Sequence, residues 1–190
     1  MNSTYILIAV VLILVIMGAI LGPVFARRKR SDKFHDKFGN EYDRTVESAG
    51  NEKKAQKEMD ARQKHVDTLT IKPLTIKERE RYQGDWTAVQ AKFVDQPGQA
   101  TVEADHLIME VMQIRDYPVS DFDQRAADIS VNYPDLVSNY RAAREIAIKN
   151  KAHKADTEEL RQAMIYYHSL FKELLGTEAV VPEKKRRLKL

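Results

Sequence analysis

No cysteine occurs among the 190 residues. That excludes disulfides, thiolate metal sites and a cysteine nucleophile, and leaves cytoplasm and periplasm equally open. No stretch alternates apolar and polar side chains for long enough to make a convincing strand. A glycine-rich phosphate loop, a G-x-S-x-G turn and a His-Glu-x-x-His pair are all missing. A missing motif bears only weakly on catalysis, because catalytic groups need only meet in space. Charge is absent where it matters most: the first 26 residues contain no Asp, Glu, Lys or Arg.

What is present begins with that uncharged stretch. Tyr5 to Ala26 is long enough to cross a bilayer once as a helix, since roughly 20 apolar residues at about 1.5 Å each span about 30 Å. Arg27, Arg28, Lys29 and Arg30 follow at once. A cleaved secretory signal is the competing reading, with Val24-Phe25-Ala26 as its cleavage site. It wants a basic leader and a shorter apolar centre, and Met1 to Thr4 has no basic side chain. Basic residues beside a membrane segment stay cytoplasmic. We therefore expect an uncleaved anchor, N-terminus outside and the remainder in the cytoplasm. Gly18 and Gly22 form a G-x-x-x-G pair that would let two such helices approach as a homodimer, although glycine is frequent in membrane helices generally.

The net charge of +3 hides a division. Residues 27–33 and 183–190 each carry five basic side chains and one acidic, leaving the body with 21 basic and 26 acidic, a net −5. Such a body lacks the basic face that nucleic-acid binding needs. The first cluster sets topology. The second, Lys184, Lys185, Arg186, Arg187 and Lys189, is not needed for that and suits anionic lipid headgroups, at about 1 kcal/mol per charge; a solubilising tail is the plainer alternative.

Between these ends the pattern is helical. Phe34, Phe38, Tyr42 and Val46 recur at i+4 steps, interrupted by Gly39-Asn40, and Glu52 to Leu69 is helix-prone with sparse apolar positions. This reads as a solvated helical stalk, too thin for a coiled-coil seam. Thr75 and Glu78 fit a capping box opening a helix lined by Tyr82, Trp86, Val89 and Phe93. Pro97 breaks it. Ala104, Leu107, Ile108, Val111 and Ile114 make the next stripe. Tyr117-Pro118 and Tyr133-Pro134 punctuate helices over Ser120–Val131 and about Pro134–Lys149, the latter with Leu136, Tyr140, Ala143 and Ala147 inward. Asp156 and Glu159 form a second capping box before Leu160, Met164, Tyr167, Phe171 and Leu174, closed by Gly176.

Candidate chemistry is thin. His106 and Glu110 lie one turn apart and could share a metal ion, but a catalytic zinc wants three protein ligands, and His35, His65, His153 and His168 bring no companion pair. Asp121 and Asp123 fall in a first helical turn, where carboxylates favour the amide dipoles. Tyr82, Trp86 and Phe93 could form a partner face; at helical spacing such aromatics more often pack into a core.

Three strings, Phe38-Gly-Asn-Glu-Tyr-Asp-Arg-Thr-Val46, Trp86 with Phe93-Val-Asp95 and Pro97, and Gln124-Arg-Ala-Ala-Asp128, together resemble a family of uncharacterised bacterial membrane or secreted proteins with one N-terminal membrane segment and a helical remainder. The resemblance covers most of residues 5–175. It implies bacterial origin and single-span topology, and brings no activity or catalytic residues.

The expectation is an all-α chain: a transmembrane helix within 1–26, a basic collar and charged stalk over 27–70, a small antiparallel bundle over 71–176, and a disordered basic tail over 177–190. The expected role is non-catalytic, without cofactor: presentation of the bundle to a protein partner at the cytoplasmic membrane face. Alternatives are an exported envelope protein, structural or stress-related, and a small metal-dependent enzyme using His106 and Glu110.

Overall fold

The computed structural model describes Met17 and residues 28–176. Apart from Met17, the expected membrane span with Gly18 and Gly22 lies outside the described residues, as do Arg27 and the tail bearing Lys184 to Lys189. Residues 28–38 are helical (α1), followed by α2 (Asn40–Ala49), α3 (Glu52–Thr68), α4 (Ile76–Phe93), α5 (Pro97–Ile114), α6 (Phe122–Asn132), α7 (Pro134–Lys151) and α8 (Thr157–Gly176). No strand occurs among the described residues, so the all-α expectation holds. None of the described helices is long and apolar enough to cross a membrane. Two compact units meet between Lys57 and Glu58, within α3.

The first unit is more than a solvated stalk. Gly39 takes φ 50° between α1 and α2, a left-handed angle that glycine adopts without a Cβ clash. Phe38 and Tyr42 are buried, and the Phe34 ring lies 6.0 Å from Phe38 and 5.7 Å from Tyr42. Gln56 Nε2 donates to the Tyr42 hydroxyl at 3.1 Å. The sparse aromatic stripe thus serves a small core of its own.

The second unit is the bundle. Thr75 Oγ1 accepts from the Glu78 amide at 3.2 Å, and the Glu78 carboxylate accepts from the Thr75 amide at 2.8 Å, so α4 opens on the expected capping box. Pro97 and Pro134 sit in the first turns of α5 and α7, where a missing N–H costs nothing. The Asp121 carboxylate caps α6 by accepting from the Gln124 amide at 2.8 Å. Asp156 and Glu159 exchange the same reciprocal bonds, at 2.8 and 3.1 Å.

In the bundle α5 packs against α4 and α8, α8 against α7, and α7 against α6. Cross-links join the end of α4 to the first half of α5 (Lys92–Glu103, 2.6 Å) and the end of α7 to the start of α8 (Lys149–Glu159, 2.5 Å), so each of these two pairs runs antiparallel. Every stripe residue expected on α8 is buried, and on α5 only Ile114 is half-buried. Each such aliphatic side chain contributes roughly 1.5–3 kcal/mol by leaving water. The ends of α5 and α7 are tied where Asn150 Nδ2 donates to the Gly98 carbonyl at 2.8 Å. Asp116 (φ 64°) and His153 (φ 55°) take left-handed angles just past α5 and α7.

Candidate functional site

α4 and α8 leave a groove between them, lined by residues of these two helices. The Trp86 indole forms its floor, stacked on the His168 ring (centroids 5.0 Å apart, planes within 9°) and on Phe171 (4.7 Å). Trp86 is 4% exposed, and its Nε1–H has no hydrogen-bond partner. Two stretches of the groove meet at Trp86, Gln90 and His168. One, of about 210 Å³, runs past Phe93, Met164 and Ile165 to Arg161. The other, of about 310 Å³, runs past Thr87, Gln83 and Leu175 to Arg79, Lys172 and Gly176.

The electrostatics have one sign. Arg79, Arg161 and Lys172 stand on the lining, and no carboxylate does among the described residues. Arg161 is held by Glu158, its Nε donating at 2.7 Å. Burial, and then the Lys172 charge, lower the His168 pKa, which keeps the imidazole neutral against the indole. Ile165 is an aliphatic side chain left 43% exposed at the groove's edge.

The structure separates the three aromatics of the expected partner face. Tyr82 is 3% exposed and belongs to the core, its hydroxyl pKa raised chiefly by burial, with the Arg81 guanidinium 5.0 Å from its ring. Trp86 floors the groove and half-buried Phe93 ends it. Trp86 is itself a core residue at 4% exposure, so of the three only Trp86 and Phe93 line the groove and only Phe93 is part-exposed there. His168, Ile165 and Lys172, which complete it, carry no local signal. They come within reach of Trp86 only because α8 runs antiparallel to α4.

His106 and Glu110 are both exposed, and Glu110 lies 3.9 Å from Arg81. Among the described residues no group of three or more His, Cys, Asp or Glu could hold a metal ion. Two donors on one helix fall short of the three that a catalytic zinc site takes. Asp121 serves as a cap, and Asp123 faces Arg141 at 3.6 Å. Arg28, Lys29 and Arg30 are exposed on α1, with the Arg30 guanidinium 5.8 Å from the Phe34 ring centroid.

Charged groups are also buried in the bundle. Asp128 is fully buried; it accepts from Gln124 Nε2 at 2.8 Å, and His65 Nε2 stands 3.6 Å away. Burial raises its pKa, and the Gln124 bond and the His65 charge oppose that rise. Arg115, 2% exposed, donates to the carbonyls of Lys72 (3.2 Å) and Leu174 (2.8 Å). These are structural ties. No protein-family model matches the chain, and comparison with curated proteins and with solved structures finds no match.

Proposed function

We propose that this chain is a single-pass membrane protein that presents a non-catalytic helical bundle to a protein partner at the cytoplasmic face. The observation that carries the reading is the groove between α4 and α8, a recess floored by the buried Trp86 and Phe171 rings and half-buried His168, with an exposed aliphatic edge. Aromatic side chains at the centre of a recess are the usual anchors of a protein interface. The membrane tether rests on the uncharged run ending at Ala26 and on the collar Arg27 to Arg30, which favours a cytoplasmic bundle. Gly18 and Gly22 supply a face for self-association of the span. Lys184, Lys185, Arg186, Arg187 and Lys189 supply a second, salt-sensitive contact with anionic headgroups. The family resemblance to bacterial single-span proteins agrees with this arrangement.

A photo-crosslinking residue placed at Ile165 in the full-length protein, irradiated in its own membranes, tests the reading. A discrete protein adduct at 165, absent when the same group replaces Ile148 on α7 (also exposed, outside the groove), is the expected result. No adduct at 165, or equal adducts at both positions, overturns it. A reporter fused at the C-terminus and active only outside the cytoplasm would overturn the orientation.

A further inference from the structure

Resting on the partner-binding reading above, we propose that the groove between α4 and α8 receives an amphipathic helix with acidic flanks. The walls dictate the first half of that statement. Both are α-helices, whose mid-helix amides and carbonyls are already paired with each other, so neither offers an edge to an extended strand. The polar side chains on the lining are separate groups on two helix surfaces and form no ladder of backbone partners, and one of them, Thr87, already donates to the Gln83 carbonyl. A segment lying there must therefore satisfy its own backbone. A helix does so.

Length agrees. From Arg79 to Phe93 the groove follows α4 for about 21 Å at 1.5 Å per residue, close to four helical turns. A helix placed there would meet α4 and α8, the two helices that α5 also packs against. Trp86, Phe93 and Ile165 would meet its apolar stripe.

Charge dictates the second half. The lining carries Arg79, Arg161 and Lys172 and no carboxylate. Neither Arg79 nor Lys172 has a carboxylate partner among the described residues, so glutamates flanking the stripe would find open cations. The chain's own tail is the wrong occupant, since Lys184 to Lys189 would set like charges against this rim.

Trp86 is the only tryptophan in the chain, so its emission reports on the groove alone. The probe is a stapled helical peptide of about 16 residues, four turns and a little more, with a leucine stripe, glutamate flanks and no aromatic residue. Its control carries lysine in place of glutamate. Both are titrated into the full-length protein in nanodiscs of zwitterionic lipid. The acidic peptide should change Trp86 emission saturably and bind on the order of tenfold tighter than the lysine peptide. Ile165→Asp should abolish the response, and Lys172→Glu with Arg161→Glu should erase the preference. No saturable response to the acidic peptide, equal response to both peptides, or a response only to added phosphatidylglycerol vesicles overturns the proposal. If the Ile165 adduct forms while the acidic peptide fails, the partner-binding reading stands and only the acidic helix is lost; if the adduct is absent too, both fall.

Discussion

Arg115→Met is the substitution whose consequence the bundle makes most explicit. Arg115 follows α5 and is 2% exposed. Its Nε donates to the Lys72 carbonyl, one terminal nitrogen donates to the Leu174 carbonyl near the end of α8, and the guanidinium lies 5.8 Å from the Tyr117 ring centroid. Its own carbonyl accepts from the Lys72 amide at 3.0 Å. One side chain thus joins the segment before α4, the end of α5 and the last turn of α8, where a cation favours the helix dipole. Methionine would keep much of the volume and orphan two carbonyls. A hydrogen bond to a charged group contributes about 1.5–3 kcal/mol and an unsatisfied buried carbonyl costs about 1–3 kcal/mol. Relief from burying a cation offsets part of that. The net expected loss is about 3 kcal/mol, a large share of the roughly 5–15 kcal/mol that holds a typical domain.

The assay is urea unfolding of the full-length protein in a mild detergent, followed by circular dichroism and by Trp86 emission. Arg115→Lys should lose about half as much, because an ammonium lacks the fork that reaches two carbonyls at once. Arg81→Met, at a largely exposed arginine, serves as control and should stay within about 1 kcal/mol of wild type. An Arg115→Met variant within about 1 kcal/mol of wild type would refute the reasoning, since the freed carbonyls would then have found water.

Three further outcomes follow from the geometry. Gly98→Ala places a Cβ 2.8 Å from Asn150 Oδ1, which must swing away and give up its bond to the Gly98 carbonyl. Alanine's helix propensity, about 1 kcal/mol over glycine, should be cancelled in the native background and recovered in Asn150→Ala, a difference that a double-mutant cycle in urea reads directly. His168 is held neutral by burial and by Lys172, so its folded pKa lies below the ordinary imidazole value of about 6.5. The unfolded chain then takes up a proton first as pH falls. Stability is full above about 6.5 and is lost as pH drops through the lowered value, accompanied by a Trp86 emission change that His168→Gln removes; a midpoint above about 6.5 would contradict the stack. Asp128 has the opposite sign. Burial raises its pKa, so the native state is most stable below the unfolded carboxyl value of about 3.9 and loses stability as pH rises through the raised one. Asp128→Asn keeps the acceptor for Gln124, and its urea midpoint should exceed wild type near about pH 7 and converge with it near about pH 4.

The helices were legible because their signals are local. Thr75 with Glu78 and Asp156 with Glu159 are reciprocal caps whose partners lie three residues apart, and both formed. Pro97 and Pro134 mark first turns for a reason internal to proline. Helix ends were harder to read, because sequence reasoning looks for glycine where the chain must turn left-handed. Asp116 and His153 take that role instead. The small core of the first unit is hidden from periodicity for a related reason. Counting apolar side chains along α3 finds few, yet Gln56 there is buried by its bond to Tyr42, a polar contact that no periodicity registers.

The groove shows the same limit from the functional side. Tyr82, Trp86 and Phe93 share a stripe, and nothing in their spacing says that Tyr82 would be enclosed in the core while Trp86, also buried, and half-buried Phe93 line a groove. That difference comes from α8, where His168 stacks flat on Trp86 and, with Ile165 and Met164, forms the wall opposite α4. A histidine on a core-facing stripe would ordinarily be a cost, since its ring nitrogens need partners. Its half-buried position at the edge, with a lowered pKa and an aromatic neighbour, relieves most of that cost without closing the recess. Replacing His168 by leucine should therefore leave the bundle folded while dulling the site, because a branched aliphatic side chain covers the indole without stacking on it. A photo-crosslinking residue at Ile165 would read the difference: an adduct undiminished in His168→Leu would mean that the aromatic stack is core packing alone and that the partner reads only the rim.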